Sequence, residues 1–72
     1  MNAAEEKYLL SLIPEEGITA PDLGLLISTS PFPNVRRGKA YRKLRKLSDR
    51  GLVKKTFDNT NTTIHKWKKV VQ

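Results

Sequence analysis

The segment from residue 34 to residue 51 constrains the fold most, because a helix collects its few core-type apolar residues on one side. At about 100° per residue, Ala40, Leu44 and Leu47 fall on one stripe with the spacing i, i+4 and i+7. The opposite side of this helix is mostly basic and bears Val35, Lys39, Arg42 and Lys46. We therefore expect a surface helix that packs its stripe on a core and exposes a cationic face.

The density of positive charge on this segment needs a physical reason. Between residues 34 and 55, ten residues are Lys or Arg and only Asp49 is acidic. Like charges three or four positions apart, such as Lys39 and Lys43, repel each other on a helix. One interpretation is a solubilising surface that is basic by chance, but such surfaces usually mix both signs. We favour a polyanionic partner outside the chain.

The charge of the whole chain, formally +7, is unevenly distributed. The first 35 residues contain Lys7 and five acids, whereas the remaining residues contain thirteen bases and two acids, Asp49 and Asp58. This asymmetry indicates a two-sided molecule with one face directed at an acidic partner. With 72 residues and no cysteine, the chain is expected to form one domain, residues 1–72, with a small core and no disulfide.

Composition also argues against several classes of function. The apolar runs are only a few residues long and the N-terminus is acidic, so we expect no membrane span, no secretory signal and no membrane partner. An intracellular protein, cytoplasmic or nucleoid-associated, is predicted. His65 is the only histidine and cysteine is absent, so we expect no metal site, no cofactor and no enzymatic activity.

The first predicted helix covers about residues 3–13. Asn2 is a suitable N-cap, and Glu5 three residues later completes a pattern typical of a capping box. Pro14 is expected to end the helix.

A second, shorter helix is predicted over about residues 20–28. Thr19 is a suitable N-cap, and Pro21 is tolerated in the first turn. Gly24 inside this helix costs about 1 kcal/mol relative to alanine, so the helix depends on packing. Before it, Ile18 is predicted to be either a single-residue β-bridge or a core residue.

The third helix is predicted over about residues 34–50, with its start near Pro33 or Asn34 and with Asn34 as a candidate cap. Gly51 suits the left-handed position that follows a helix. Gly38 has two interpretations: it lets another backbone approach closely, or the helix begins one turn later.

Beyond Gly51 the pattern changes from helical to extended. Residues 52–71 are rich in β-branched and aromatic side chains on both sides of a polar turn, which predicts a β-hairpin. Trp67 near its end is interpreted either as a core residue that closes the hairpin over the third helix or as a nucleic-acid contact.

The order of these elements, together with particular stretches of sequence, resembles the winged helix-turn-helix family. The resemblance rests on residues 17–23, which open the second helix, on residues 43–53, which end the third, and on the hairpin that follows. It covers nearly the whole chain and implies an α+β fold in which the third helix is the recognition helix and the hairpin is the wing. The chain departs from simple helix-turn-helix proteins in the long connector 28–33, which contains two prolines.

Combined with the charge, this resemblance implies DNA binding through the major groove. In helix-turn-helix docking the N-terminal part of the recognition helix reaches base edges. Asn34 would then read adenine, Arg42 or Lys39 guanine, and Val35 a thymine methyl group. Other basic residues of this helix are expected to contact phosphates: Arg36, Arg37, Lys43, Arg45 and Lys46.

The resemblance also assigns the hairpin to the DNA backbone or the minor groove. The expected contacts are the turn residues Asn59, Thr60 and Asn61 and the strand lysines Lys54, Lys55, Lys66 and Lys68.

The function predicted from these arguments is a small transcriptional regulator that binds double-stranded DNA. One alternative is a winged helix that binds DNA architecturally, or RNA, without sequence preference. Another is a protein-interaction module whose basic helix meets an acidic partner. A homodimer on DNA, paired through Tyr8 or Leu10 of the first helix, is a further expectation.

Overall fold

Three helices and a C-terminal hairpin make up the part of the chain that the computed structural model describes, residues 2–58 and 61–70, with side chains at all of these positions except 57–58 and 61–64. The elements are Ala3–Ser11 (α1), Ala20–Ile27 (α2), Pro33–Asp49 (α3), Val53–Asp58 (β1) and Asn61–Lys69 (β2). β1 and β2 pair antiparallel. This is the predicted α+β arrangement, and it is consistent with a winged helix.

The two predicted N-caps are confirmed. The Glu5 amide donates a 2.8 Å hydrogen bond to Oδ1 of Asn2, and the Asp22 amide donates a 3.3 Å bond to Oγ1 of Thr19. Each cap satisfies one of the amides that a helix leaves without an internal partner.

One helix end and one helix cap differ from the sequence prediction. α1 ends at Ser11, with Leu12 as its C-cap, rather than at residue 13. Ile13 precedes Pro14, and the residue before a proline is disfavoured in the helical conformation. α3 begins at Pro33 with Phe32 in the N-cap position, so Asn34 lies within the first turn and does not cap. Proline suits the first helical position because its missing amide would be unpaired there anyway. No helix in the described ranges has the length and hydropathy to cross a membrane.

The stripe on α3 forms the centre of the core. Ala40, Leu44 and Leu47 are fully buried, as the spacing predicted. The other helices and the hairpin contribute the remaining buried apolar side chains: Leu9, Ile13, Ile18, Ala20, Leu23, Val53 and Trp67. The basic residues of α3 therefore lie outside this core by geometric necessity.

Ile18 connects the segment between α1 and α2 to the hairpin. It forms an antiparallel bridge with Trp67, and both amides donate to the opposite carbonyl, at 3.0 and 2.8 Å. Ile18 is also buried, so both interpretations of this residue are confirmed. Trp67 is only 4% exposed, which confirms its interpretation as a core residue.

Gly24 allows α2 and α3 to approach each other closely. A Cβ atom at this position would lie 2.6 Å from the carbonyl oxygen of Arg36 and 2.7 Å from its carbonyl carbon. These are backbone atoms of α3, so they cannot move aside without separating the two helices. Gly38, in contrast, lies inside α3, and a Cβ atom at that position would meet no atom of a neighbouring element within 4 Å.

We expect Gly24→Ala to destabilise the fold by about 1–3 kcal/mol, because overpacking outweighs the gain in helix propensity. Gly38→Ala is the matched control and should stabilise the chain by about 1 kcal/mol, since alanine is the better helix former and meets no neighbour. Urea denaturation followed by circular dichroism measures both changes. A Gly24→Ala variant at least as stable as the wild type would contradict the close approach of α2 and α3.

Candidate nucleic-acid interface

The basic residues of α3 are divided into two groups by their contacts. On the edge that faces α2 and its connector, Nη1 of Arg36 donates to the Ser30 carbonyl at 3.0 Å, and Nζ of Lys39 donates to the Ile27 carbonyl at 3.2 Å. Ile27 is the last residue of α2, so the Lys39 ammonium satisfies a carbonyl at the negative end of that helix.

Further along α3, two bases pair with acids of α1. Lys43 forms an ion pair with Glu5, and Nη1 of Arg50 lies 3.2 Å from Oε2 of the buried Glu6. We call these four basic residues of α3 and its C-cap the bonded edge: Arg36, Lys39, Lys43 and Arg50. Their charge is used, at least in part, to hold the three helices together.

The ion pair with Lys43 shifts the titration of Glu5. The hydrogen bond from Lys43 lowers the pKa of the Glu5 carboxyl below its ordinary value, and the positive charges of Lys43, the N-terminus and Lys46 act in the same direction. Desolvation opposes this shift. The folded chain therefore favours the ionised form of Glu5.

The remaining side of α3 is largely exposed, and its arginines have no bonding partner among the described residues. Six residues form this open face at spacings of i, i+3, i+4, i+7, i+8 and i+11: Asn34, Arg37, Gly38, Tyr41, Arg42 and Arg45. Within the described residues, the guanidinium groups of Arg37, Arg42 and Arg45 form neither a hydrogen bond nor an ion pair with the protein. Val35 and Lys46, which are also exposed, lie at the border of this face.

The open face only partly coincides with the face predicted from sequence, which centred on Val35, Lys39, Arg42 and Lys46. Arg42 lies on the open face and Lys39 belongs to the bonded edge, while Val35 and Lys46 lie at the border. Tyr41 also belongs to the open face, and its position beside the apolar stripe gave no indication that the residue would be 40% exposed.

A groove borders the open face, between the start of α2, α3 and β2. Its volume is about 640 Å³, and we call it the aromatic groove. The residues that matter here are Pro21, Arg37, Gly38, Tyr41, His65 and Trp67. The rings of Tyr41 and Trp67 meet edge to face, with centroids 6.0 Å apart. Nζ of Lys55 lies 5.7 Å from the centroid of the Trp67 ring, within cation–π range.

The hairpin carries a second group of bases. Lys54 lies directly opposite Lys68, and Thr56 lies opposite Lys66, so these residues share the face of the hairpin turned away from Val53 and Trp67. Like charges directly opposite in a sheet repel. We call Lys54, Lys66 and Lys68 the hairpin lysines.

Three of the predicted contacts belong to the turn predicted from sequence. Asn59 and Thr60 are outside the described residues, and Asn61 begins β2 without a described side chain. Their predicted role in nucleic-acid binding stays a prediction.

We expect Glu5→Gln to lower the free energy of unfolding at pH 7, because the ion pair with Lys43 is lost. Glu5 has a lowered pKa in the folded chain, so its contribution is present above the unfolded-state pKa of about 4.3 and disappears as the pH falls through the lower folded value. The difference between wild type and variant should therefore shrink in that acidic range. Urea denaturation at several pH values measures it, and Glu15→Gln in the exposed turn serves as a control. A difference that is constant with pH would contradict the ion pair.

Comparison of the chain with models of known protein families, with characterised proteins and with solved structures found no match. Its function therefore has to be inferred from the open face, the hairpin lysines and the aromatic groove.

Proposed function

We propose that the chain is a DNA-binding protein, a small intracellular transcriptional regulator of the winged helix type. In this proposal α3 enters the major groove of double-stranded DNA, and the hairpin lies along the backbone or the minor groove. No cofactor and no catalytic step are required.

The proposal rests on one observation: the basic residues of the bonded edge are bonded within the protein, whereas, among the described residues, the arginines of the open face are not. Acids of α1 pair only with bases of the bonded edge, while the guanidinium groups of Arg37, Arg42 and Arg45 are left to solvent within the described part of the chain. Arginine is well suited to phosphate and guanine because its planar fork donates two parallel hydrogen bonds. When such arginines neutralise the phosphates of a polyanion, they release the counterions condensed on it, which favours binding.

The dimensions of α3 fit this partner. Its 17 residues give a length of about 25 Å at a rise of 1.5 Å per residue, and a helix with side chains is about 10–12 Å across. The major groove of B-form DNA is about 12 Å wide. The open face follows the helix from Asn34 to Arg45, over its N-terminal two thirds, and the N-terminal part is the one that reaches base edges in helix-turn-helix docking.

Each group of residues has a distinct role in the proposal. Asn34 and Arg42 read base edges, as the sequence predicts, and Arg37 and Arg45 contact phosphates. The hairpin lysines supply further phosphate contacts, and an anion beside Lys54 and Lys68 would relieve their mutual repulsion. The bonded edge contributes mainly by positioning α3, because each of its bases is already bonded within the chain.

The alternatives make different demands on the same surface. An architectural protein or an RNA-binding protein would use the same basic residues to contact phosphates, without reading the edges of nucleobases. A protein-interaction module would use the open face against an acidic surface and would leave nucleic acid unbound. For a homodimer, Tyr8 is exposed and available, whereas Leu10 packs partly against the core.

We expect affinity for duplex DNA to fall steeply with salt, with a slope of log K against log salt of about −5, because the open face and the hairpin lysines together neutralise about six phosphates. Arg45→Ala should reduce the size of this slope by about 1 and weaken binding to all sequences alike. Lys7→Ala removes the same charge from α1, outside the proposed interface, and should leave the slope unchanged. Fluorescence anisotropy with a labelled duplex measures both variants.

The same assay separates the alternatives. Absence of binding to duplex DNA and RNA at about 0.15 M salt would contradict nucleic-acid binding and favour the protein-interaction module. A selection from random duplex DNA at two salt concentrations then tests specificity: an enriched sequence supports the regulator, and a random output supports the architectural protein.

A further inference from the structure

Gly38 leaves a space on the open face that no neighbouring element of the described structure fills. It lies inside α3, where glycine is a poor helix former, yet a Cβ atom there would meet no atom of a neighbouring element within 4 Å. Gly24 shows the contrast, because its missing side chain admits the backbone of α3. The space above Gly38 opens into the aromatic groove.

Tyr41 presents an aromatic ring beside this space. The residue is 40% exposed, although its ring meets the ring of Trp67 edge to face. In an edge-to-face pair Tyr41 contributes either an edge or one face, so at least one face of its ring is not covered by Trp67. Trp67 is itself 4% exposed, and it therefore supports Tyr41 without being available to a ligand.

The same tyrosine belongs to the cationic surface. A shallow hollow on the outer side of α3 is lined by Tyr41 together with Arg42 and Arg45, and Arg37 lies on the groove side of Tyr41. Aromatic rings placed among basic residues are typical of surfaces that bind unstacked nucleotides. The nucleobases stack on the rings, and the basic residues contact the phosphates.

We propose that the aromatic groove receives one unpaired base of a bound nucleic acid, stacked on Tyr41 above Gly38, with Arg37 on the adjacent phosphate. This inference rests on the proposed function, because it requires the phosphates of a bound DNA to lie along the open face. A base within a duplex has neighbours on both of its faces, so only a base that is bulged out, or part of a single strand, can offer a free face to Tyr41. The groove thus selects nucleic acid that contains an unpaired base.

Three labelled DNAs test the inference with the full chain: a paired duplex, the same duplex with one bulged adenine, and the same duplex with a bulged abasic site. The abasic site matches the flexibility of the bulge but lacks the base. We expect the bulged adenine to bind about tenfold more tightly than the other two DNAs, within the range for stacking one base on an aromatic side chain. Fluorescence anisotropy gives the affinities.

Variants of the groove identify the site. Tyr41→Phe should keep the tenfold preference, whereas Tyr41→Ala should abolish it. Gly38→Leu should also abolish it, because its side chain fills the space above position 38, while its thermal unfolding midpoint stays at or above that of the wild type. Leu25→Ala, which alters an exposed apolar residue of α2 outside the groove, should keep the preference.

The outcomes distinguish this inference from the proposed function. Equal binding of all three DNAs would overturn the inference and leave duplex binding in place. A preference that survives in Gly38→Leu would also overturn it, since the base would then bind elsewhere. Absence of binding to all three DNAs would overturn both proposals.

Discussion

The burial of one stripe of α3 determines the rest of the structure. Ala40, Leu44 and Leu47 have no exposed surface, and together they offer α1, α2 and the hairpin a common side on which to pack. Burying a leucine side chain contributes about 1.5–3 kcal/mol, which is a large share of the stability of a chain this short. Because α3 has only one such stripe, the bases that alternate with it must face outwards.

The sequence predicts the elements well because each has a local physical cause. The caps at Asn2 and Thr19, the left-handed Gly51 and the stripe on α3 depend only on neighbouring residues, and the structure has them as expected. The differences are also local: Pro14 shortens α1, and Phe32 rather than Asn34 takes the N-cap position because α3 begins at Pro33. A β-bridge is one of two interpretations that the sequence leaves open for Ile18, and it does not identify the partner Trp67, because strand pairing joins residues far apart in the chain.

The candidate site was less accessible from sequence, because it depends on how the helices pack. A helical wheel treats Lys39, Arg42 and Arg45 as equivalent bases. Only the three-dimensional arrangement shows that Lys39 reaches the end of α2, whereas Arg42 and Arg45 reach nothing in the described part of the protein. The role of Gly38 has the same origin, since an empty space beside a residue is a property of the folded chain. The packing of the helices therefore determines which basic residues of α3 are bonded within the protein and which remain available to a ligand.

The pairing of the hairpin has a consequence for the behaviour of the folded chain at high concentration. In the described residues β1 pairs only with β2, so its other side presents backbone amides and carbonyls at the edge of a sheet. Open edges of this kind invite pairing with a second molecule and aggregation, and lysines are among the residues that prevent it. Lys54 and Lys55 lie on this edge strand, and a second copy would have to bring its own lysines alongside them. We therefore expect the positive charge of the hairpin to oppose aggregation through this edge.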